Sequence, residues 1–442
     1  MEPRRVAFHT LGCRVNQYET EAMKHLFEAR GYQIVGESDP ADVYVVNTCT
    51  VTGLADRKSR QYIRRMKKAN QEAIICATGC YVQTDPETLR RIEELDILLG
   101  TNHKYEVVDV VEERLARRAR LAADTGADSD AAAENKIVRI DERKYLNEYV
   151  EAGKVTAPDG KTRANVKIEE GCDRYCTYCQ IPTARGPVRS RKRENILRES
   201  QDLIDAGFKE LVLTGINTAL CEDLPGLLAD LDRMQGDFRV RLASLEPTVV
   251  DAPFVARLVE SERLCHHLHL SLQSGSDTVL ARMGRRYGRK EYLEIVKVLR
   301  DIDPLFNITT DIIVGFPGET EEEFAETLSL AEEVAFGKIH VFKYSRRPGT
   351  KAAVMPDQVP EPVKKERSAR LQRLGDRLMA EYHRLHLGTQ QRILVEEQEN
   401  GLWTGYTNDY TKAFLRSEED LANTFITGTA ADADESGIIV VR

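Results

Sequence analysis

Three cysteines, Cys172, Cys176 and Cys179, have the spacing Cys-x-x-x-Cys-x-x-Cys within the segment GCDRYCTYC. This triad leaves a tetrahedral zinc site one ligand short. It suits a cluster of four irons, because three thiolates bind three irons and leave the fourth open to a substrate or cofactor. The loop therefore predicts chemistry at an open iron.

Two other interpretations of this loop remain open on spacing alone. The three thiols could have no ligand, or a distant side chain such as His269 could complete a zinc site. Alternation places His267 and His269 on one face of a predicted strand, where histidines more often bond to neighbouring strand residues than bind a metal.

A second set of cysteines, Cys13, Cys49 and Cys80, follows three predicted strands near the N-terminus. The strands are expected at residues 4–10, 43–46 and 73–77, with helices at 17–30 and 56–68 between them. This alternation predicts a parallel sheet, whose strand ends bring the three thiols to one rim. They could hold a second open cluster, or they could be small core residues, the more common role of scattered cysteines. Packing is the role that we assign to Cys76, Cys221 and Cys265.

From residue 164 strands and helices alternate again. Strands are predicted at residues 164–168, 210–214, 239–243, 266–272, 308–315 and 338–342. Six units are too few to close an eight-unit barrel, so the sequence predicts a partial barrel that is open on one side. The cysteine loop follows the first strand, and the loops after the other strands surround it. These loops contain Gly215, Asn217, Ser244, Gln273 and Gly315, although many such turns use glycine and small polar residues as caps.

The composition indicates a large protein of the globular class. At 442 residues, 41% hydrophobic and 31% charged, the chain has room for about three domains. No segment approaches the ~18 apolar residues that a membrane span needs, and the N-terminal sequence lacks a signal peptide. The nine cysteines, an odd number, fit a reducing compartment in which thiolates serve as ligands. We therefore expect a cytoplasmic protein with no membrane partner.

The fold class that these patterns predict is α/β, with three domains. An Ala-rich, Arg-rich and Asp-rich stretch at residues 112–135 indicates a linker, and a charged helix at 360–387 precedes short strands with turn signals. We expect a parallel-sheet α/β domain at 1–115, a linker at 116–160, a TIM-type partial (β/α)6 barrel at 161–385 and a small β-barrel at 386–442. In that last barrel, four aromatic residues could fill the core or stack on bases; these are Trp403, Tyr406, Tyr410 and Phe414.

Two basic clusters contrast with the net charge of −9. A solvated charged face usually contains both signs, so clusters of one sign suggest phosphate contacts and hence a nucleic acid. The first cluster occupies one predicted helix and comprises Arg57, Lys58, Arg60, Arg64, Arg65, Lys67 and Lys68. The second follows the cysteine loop and comprises Arg185, Arg189, Arg191, Lys192 and Arg193.

These motifs, in this order, resemble the radical S-adenosylmethionine (SAM) methylthiotransferases over nearly the whole chain. The segments TLGCRVNQYET (residues 10–20) and NTCTVT (47–52) resemble the bacterial branch that acts on threonylcarbamoyladenosine beside the tRNA anticodon. The YGCQMN segment typical of the isopentenyladenosine branch and the LGCPKN segment of the ribosomal-protein branch are absent from this sequence. The resemblance implies that the central barrel is a radical SAM barrel and that the C-terminal barrel is of the kind called TRAM.

The resemblance also implies roles for these residues. Cys172, Cys176 and Cys179 would hold a four-iron four-sulfur (4Fe-4S) cluster that binds SAM and cleaves it to a radical. Cys13, Cys49 and Cys80 would hold a second 4Fe-4S cluster, which carries the sulfur to be transferred. A radical is needed because carbon 2 of adenine offers no acidic proton. Residues expected to line the SAM pocket are Tyr178, Gly215, Asn217, Ser244, Gln273 and Gly315.

The implied partners are the tRNA anticodon arm, an electron donor of the flavodoxin or ferredoxin type, and a sulfur source. Alternatives within the superfamily are methylthiolation of isopentenyladenosine or of a ribosomal-protein side chain. A further alternative is an iron-sulfur electron carrier or a zinc-stabilised RNA-binding protein, although a carrier usually encloses each cluster with four thiolates. Gln180 stands where an aliphatic residue is usual in the family, so substrate contacts near it are in question.

Overall fold

The computed structural model describes residues 3–123, 136–153 and 162–442. Within these ranges an α/β domain is followed by a partial parallel barrel and then by a closed antiparallel-rich barrel. This confirms the predicted fold class.

The N-terminal domain alternates strands and helices. Its strands are β1 (Arg5–Thr10), β2 (Gln33–Val35), β3 (Val43–Thr48), β4 (Ile74–Gly79), β5 (Ile97–Leu99) and β6 (Ile137–Arg139). Its helices are α1 (Arg14–Ala29), α2 (Gly53–Ala69), α3 (Cys80–Thr84), α4 (Pro86–Arg90) and α5 (Val107–Ala123).

The described strands of this domain form one parallel sheet in the order β2-β1-β3-β4-β5-β6. Every residue of β3 and β4 is buried, because helices cover both faces of the sheet. Met23 and Phe27 of α1 pack on one face, and Tyr62 and Ile63 of α2 pack on the other. The neighbouring strands β1, β3 and β4 therefore end at the same rim.

The prediction that residues 116–160 form a linker is wrong for part of that segment. Helix α5 continues to Ala123, and β6 pairs in parallel with β5, so both belong to the N-terminal domain. A strand of three residues is too short to give a periodic signal. Residues 124–135 of the Ala-rich stretch lie outside the described residues.

The central domain contains the longest run of strand-helix units. Its strands are β7 (Arg163–Lys167), β8 (Glu169–Glu170), β9 (Arg189–Ser190), β10 (Glu210–Thr214), β11 (Arg239–Leu242), β12 (Ser244–Leu245), β13 (His267–Leu270), β14 (Asn307–Val314) and β15 (Lys338–Lys343). Its helices are α6 (Ile181–Arg185), α7 (Arg193–Asp205), α8 (Leu224–Asp232), α9 (Ala252–Leu258), α10 (Asp277–Met283), α11 (Arg289–Ile302) and α12 (Glu321–Val334).

Parallel ladders β7-β10-β11 and β12-β13-β14-β15 form the wall of the partial barrel. The bridge between Val240 and Leu264 connects the two ladders. In the described chain β7 and β15 do not pair with each other, so the barrel is open between them, as the sequence predicts. Helix α1 of the N-terminal domain lies against β7, where Lys167 Nζ contacts Glu19 Oε1 at 2.9 Å.

The chain ends in a long helix and a closed barrel. These elements are α13 (Glu361–Arg384), β16 (Gln390–Glu399), β17 (Leu402–Thr407), β18 (Lys412–Leu415), β19 (Thr424–Asp434) and β20 (Gly437–Val441). The strands close in the order β16-β17-β18-β20-β19. The hydroxyl of Tyr382 on α13 donates to Asp409 Oδ2 at 2.9 Å, which fixes the helix to the barrel. None of the helices in the described ranges has both the length and the hydropathy to cross a membrane.

Candidate active site

The loop after β8 carries the first cysteine triad. Gly171 begins the loop with a φ of +87°, and a β-carbon there would lie 1.9 Å from the carbonyl oxygen of Pro187, so the turn requires glycine. The backbone N–H of Cys179 donates to the carbonyl oxygen of Cys176 at 2.9 Å, and the N–H of Thr177 donates to that of Met283 at 2.9 Å. The first bond makes a turn within the loop, and the second joins the loop to the end of α10.

The thiols of this triad are close enough to affect one another. Burial raises the pKa of Cys179 to about 12, with further contributions from Cys176 and Cys172. Burial likewise raises the pKa of Cys172 to about 11, and Cys176 adds to the rise. Bound iron would stabilise the thiolate forms that this environment otherwise disfavours.

The second triad lies at the rim of the N-terminal sheet. Cys13 is the N-cap of α1, Cys49 follows β3, and Cys80 is the first residue of α3. Gly12 has a φ of +111°, and a β-carbon there would lie 3.0 Å from the Sγ of Cys49. Burial raises the pKa of Cys49 to about 12, and Cys80 and Cys13 raise it further. The fold thus brings these three thiols together.

Each triad offers three thiols, the number that binds a four-iron cluster with one open iron. Their six cysteines form no disulfide. Among the described residues, no three His, Cys, Asp or Glu side chains converge on a position for one ion. A four-iron cluster binds each thiolate at a different iron, which requires wider spacing. His269, the alternative zinc ligand, instead bonds to Thr309 at 3.0 Å and to Asp311 at 3.3 Å.

One buried arginine, Arg185, connects the two triads. Its Nε donates to Cys80 Sγ at 3.1 Å, and its Nη2 donates to Glu19 Oε2 at 3.0 Å, both in the N-terminal domain. Its Nη1 donates to Glu170 Oε1 at 3.0 Å, two residues before Cys172. The guanidinium is fully buried and satisfies groups from both domains.

Opposite charges balance one another in this network. Lys104 and Lys167 reach Glu19 Oε1 at 2.6 and 2.9 Å. Burial raises the pKa of Glu19, but Arg185 and the two lysines outweigh it and hold the pKa well below its usual value. The carboxylate therefore stays ionised inside the protein.

Three residues of the second basic cluster do not belong to a phosphate-binding surface, and the prediction is corrected for them. Arg185, Arg189 and Arg191 are all buried. Arg189 donates to the carbonyl oxygen of Leu146 at 2.6 Å, and Arg191 pairs with Glu199 at 2.6 Å. Sequence spacing could not reveal this, because burial of arginine depends on partners that are distant along the chain.

The first basic cluster is exposed on α2. Arg57, Lys58, Arg64 and Arg65 are exposed, and Arg60 is half-buried. The helix also contains one carboxylate that the predicted cluster did not include, Asp56, which is buried and paired with Arg347. The solvent-facing surface of α2 is therefore basic.

The residues expected around SAM lie on loops at the carboxyl ends of the strands. Gly215 and Ser244 line a common cavity. The side-chain amide of Asn217 is buried and has no hydrogen-bond partner in the described chain, as expected for a group that bonds to a ligand. Gln273 has a φ of +69° and bonds through its backbone to Asp311. A β-carbon at Gly315 would meet the side chain of Lys364, so that glycine permits close packing.

Tyr178 has a fixed position beside the first triad. Its hydroxyl accepts a hydrogen bond from Arg285 Nη2 at 2.8 Å, and its ring lies edge-to-face with Phe316 at 6.3 Å between centroids. Arg285 is itself paired with Glu246 at 3.0 Å. The ring is thus held between a charged pair and an apolar cluster.

A cavity of about 760 Å³ lies between the second triad and two of the barrel loops. It is lined by Cys13 of the second triad and by Gly215 and Ser244 of the barrel loops. From there it runs along the inside of the barrel to Arg163, the first residue of β7, and to Tyr410 of the C-terminal barrel. Its volume is within the range of ~300–1,000 Å³ that is usual for ligand sites.

Comparisons with known proteins agree with this arrangement. One matching family, described as "Uncharacterized protein family UPF0004", covers residues 5–100, and the other, "Radical SAM superfamily", covers residues 166–331. A threonylcarbamoyladenosine tRNA methylthiotransferase, MtaB, of Bacillus subtilis (strain 168) is 41% identical over 94% of this chain and 91% of its own length. The MtaB of Aquifex aeolicus (strain VF5) is 39% identical, over 91% and 95%. The chain belongs to the radical SAM tRNA methylthiotransferase family.

The methylthiotransferase family also contains relatives that are named for another substrate. A tRNA-2-methylthio-N(6)-dimethylallyladenosine synthase of Symbiobacterium thermophilum is 37% identical over 90% of this chain and 85% of its own length. Among solved structures, the radical SAM methyltransferase TsrM from Kitasatospora setae has 15% identity and a TM-score of 0.56, covering 80% of this chain and 77% of that one. This structural likeness shows the fold alone.

As a radical SAM enzyme, this methylthiotransferase uses a 4Fe-4S cluster and SAM. Sequence analysis missed three arginines that line the cavity, Arg14, Arg163 and Arg241. Tyr406 and Tyr410, two of the aromatic residues expected to fill the C-terminal barrel or to stack on bases, line the cavity with them. The position of Arg14 directly after Cys13 was a usable signal, whereas the convergence of the others depends on how the C-terminal barrel docks against β7 and β11.

Replacing Arg185 with Met should destabilise the methylthiotransferase by about 3–5 kcal/mol, because Glu19 and Glu170 would stay buried with Lys167 but would lose the guanidinium that bonds to both of them. Urea denaturation of wild type and variant measures the difference. Arg233→Met is the control, since Arg233 is exposed, and we expect a change within about 0.5 kcal/mol. An equally small change for Arg185→Met would contradict the structural role of this network.

Proposed function

We propose that this methylthiotransferase adds a methylthio group to carbon 2 of N6-threonylcarbamoyladenosine next to the tRNA anticodon. The observation that carries the proposal is the single cavity that joins Cys13 to the SAM loops at Gly215 and Ser244. A sulfur held at Cys13 and a radical formed at the SAM loops could then reach the same base. The MtaB relatives support the choice of this base.

The first triad would hold the radical SAM cluster, which supplies the electron that cleaves SAM to a 5′-deoxyadenosyl radical. Tyr178 is placed next to Cys179, where its ring can pack against the adenine of SAM, and Arg285 keeps that ring in position. The buried amide of Asn217 can bond to a polar group of the cofactor.

We propose that Cys13, Cys49 and Cys80 hold a second 4Fe-4S cluster, which supplies the sulfur to be transferred. The N–H of Val51 points to Cys49 Sγ at 3.5 Å, and Arg185 Nε to Cys80 Sγ at 3.1 Å. Both donors would stabilise thiolate charge. An electron donor of the flavodoxin or ferredoxin type and a sulfur source would complete the cycle in the cytoplasm.

The anticodon arm would approach the exposed basic side of α2. Its cations lie on the domain that carries the second triad, so phosphate contacts there could position the base at the cavity. The residues proposed for these contacts are Arg57, Lys58, Arg60, Arg64 and Arg65. The C-terminal barrel, with its similarity in size to nucleic-acid-binding barrels, could contribute further contacts.

Replacing Cys176 with Ala should reduce 5′-deoxyadenosine formation from SAM at least about a hundredfold, because the radical SAM cluster loses a ligand. Chromatography of the reaction with a chemical reductant measures the product. Cys221→Ala is the matched control, since Cys221 is a buried cysteine outside both triads. Cleavage at the wild-type rate by Cys176→Ala would refute the assignment of this triad.

Replacing Cys49 with Ala should leave SAM cleavage within about threefold of wild type but abolish methylthio product, because only the sulfur-carrying site is lost. Mass spectrometry of the digested tRNA measures this product. Cys76→Ala, in the core of β4, is the control for substitution within the same domain. Normal product formation by Cys49→Ala would show that Cys49 is a packing residue.

The decisive experiment for the proposed function is nucleoside mass spectrometry of tRNA from a strain that lacks this gene, with and without the plasmid-borne gene. We expect 2-methylthio-N6-threonylcarbamoyladenosine only when the gene is present. Appearance of the methylthio derivative of dimethylallyladenosine alone would assign the chain to the other branch. Unchanged tRNA nucleosides would refute a tRNA substrate.

A further inference from the structure

Three arginines line the part of the cavity beside the C-terminal barrel. Arg241 lies over the ring of Tyr410, 3.8 Å from its centroid, and Arg163 lies 5.1 Å from the centroid of Tyr406. The two tyrosines stack on each other at 4.4 Å. Arg14, the first residue of α1, lines the same cavity as these residues. We call Arg14, Arg163 and Arg241 the basic lumen.

The nearby carboxylates do not neutralise the basic lumen fully. Glu396 pairs with Arg163 at 2.7 Å. Glu210 is shared between Arg241 at 2.9 Å and Arg239 at 2.7 Å.

Two carboxylates that line the cavity are also engaged. Asp311 contacts His269 at 3.3 Å, and Glu21 contacts Lys24 at 3.1 Å. Arg14 forms no ion pair with a carboxylate in the described part of the chain.

We propose that the basic lumen binds the carboxylate of the threonylcarbamoyl substituent and thereby selects an acidic N6 substituent over an apolar one. This inference rests on the proposed function and names the residues that would determine its substrate. Arg14 is the residue assigned to direct contact, and Arg163 and Arg241 supply the surrounding positive potential.

Geometry supports this assignment. Arg14 directly follows Cys13, and both line the cavity, so the side chain of Arg14 starts at the sulfur-transfer site. Carbon 2 and carbon 6 of adenine are both bonded to N1, and the bonds to their substituents diverge in the plane of the ring. A base with carbon 2 toward Cys13 can therefore direct its N6 substituent along the barrel interior toward the basic lumen.

The chemistry of the two known family substituents gives the selectivity. The threonyl group ends in a carboxylate, which guanidinium groups bind through charge-assisted hydrogen bonds. A dimethylallyl group has no acceptor, so placing it there would remove water from Arg14, which has no carboxylate partner in the described chain, without any compensation. A site that forms hydrogen bonds to its substrate discriminates strongly against an analogue without those polar groups. An apolar site discriminates less strongly against an analogue that carries an extra polar group.

The test uses the cluster-loaded enzyme and three anticodon stem-loop RNAs, which differ only at the N6 substituent. These carry threonylcarbamoyl as the free acid, its methyl ester, or dimethylallyl. Fluorescence anisotropy measures the Kd of each. For wild type we expect the acid to bind at least about tenfold more tightly than the neutral ester.

Arg14→Met should reduce the preference for acid over ester to less than about threefold, while Arg14→Lys should retain part of it. Arg30→Met, an exposed substitution just after α1, should keep the wild-type ratio. Iron content and SAM cleavage show whether Arg14→Met retains its clusters. If Arg14→Met loses its clusters, Arg241→Met is tested instead, because Glu210 would keep Arg239 as its partner in that variant. We expect Arg241→Met to reduce the preference for acid over ester in the same way.

Equal binding of acid and ester by wild type, or an unchanged ratio in the variant that keeps its clusters, would overturn this inference. Either result leaves the proposed function intact if wild type still converts the threonylcarbamoyl RNA to product. Conversion of the dimethylallyl RNA alone would instead refute the proposed function itself.

Discussion

The buried guanidinium of Arg185 is the interaction on which the relation between the two cysteine triads depends. It bonds to Cys80 and Glu19 in the N-terminal domain and to Glu170 beside the radical SAM loop. A buried arginine is tolerated only when carboxylates and other hydrogen-bond acceptors surround its guanidinium. Removing one member of such a network leaves the others charged, buried and without a partner. The rigid junction between domains thus comes from electrostatic pairing as well as from apolar packing.

The same network fixes helix α1 against the open side of the barrel. Glu19 on α1 forms ion pairs with Lys167 of β7, the edge strand, and with Lys104 of its own domain. The N-terminal end of α1 then presents Cys13 and Arg14 to the barrel interior. A partial barrel leaves an opening that a neighbouring domain can use, and here that domain would bring a sulfur site and a cation to one cavity. Fold and proposed chemistry are linked by this placement.

The sequence predicted the features that depend on local pattern. The strand at residues 210–214 matches β10, and the cysteines after β1, β3 and β4 converge because parallel strands end at one rim. Features that depend on distant partners were not predictable. Arg185 and Arg191 seemed to belong to a surface cluster, because nothing in their local sequence shows that Glu19 and Glu199 will enclose them. Tyr410 meets Arg241 only through docking of the C-terminal barrel.

The measurement that tests the central claim most directly is the iron content of the anaerobically reconstituted protein and of two triple variants. One variant replaces Cys13, Cys49 and Cys80 with Ala, and the other replaces Cys172, Cys176 and Cys179. Two independent clusters predict about eight irons per chain in wild type and about four in each variant. About four irons in wild type, with none lost when the first three cysteines are replaced, would contradict a second cluster and with it the proposed source of sulfur.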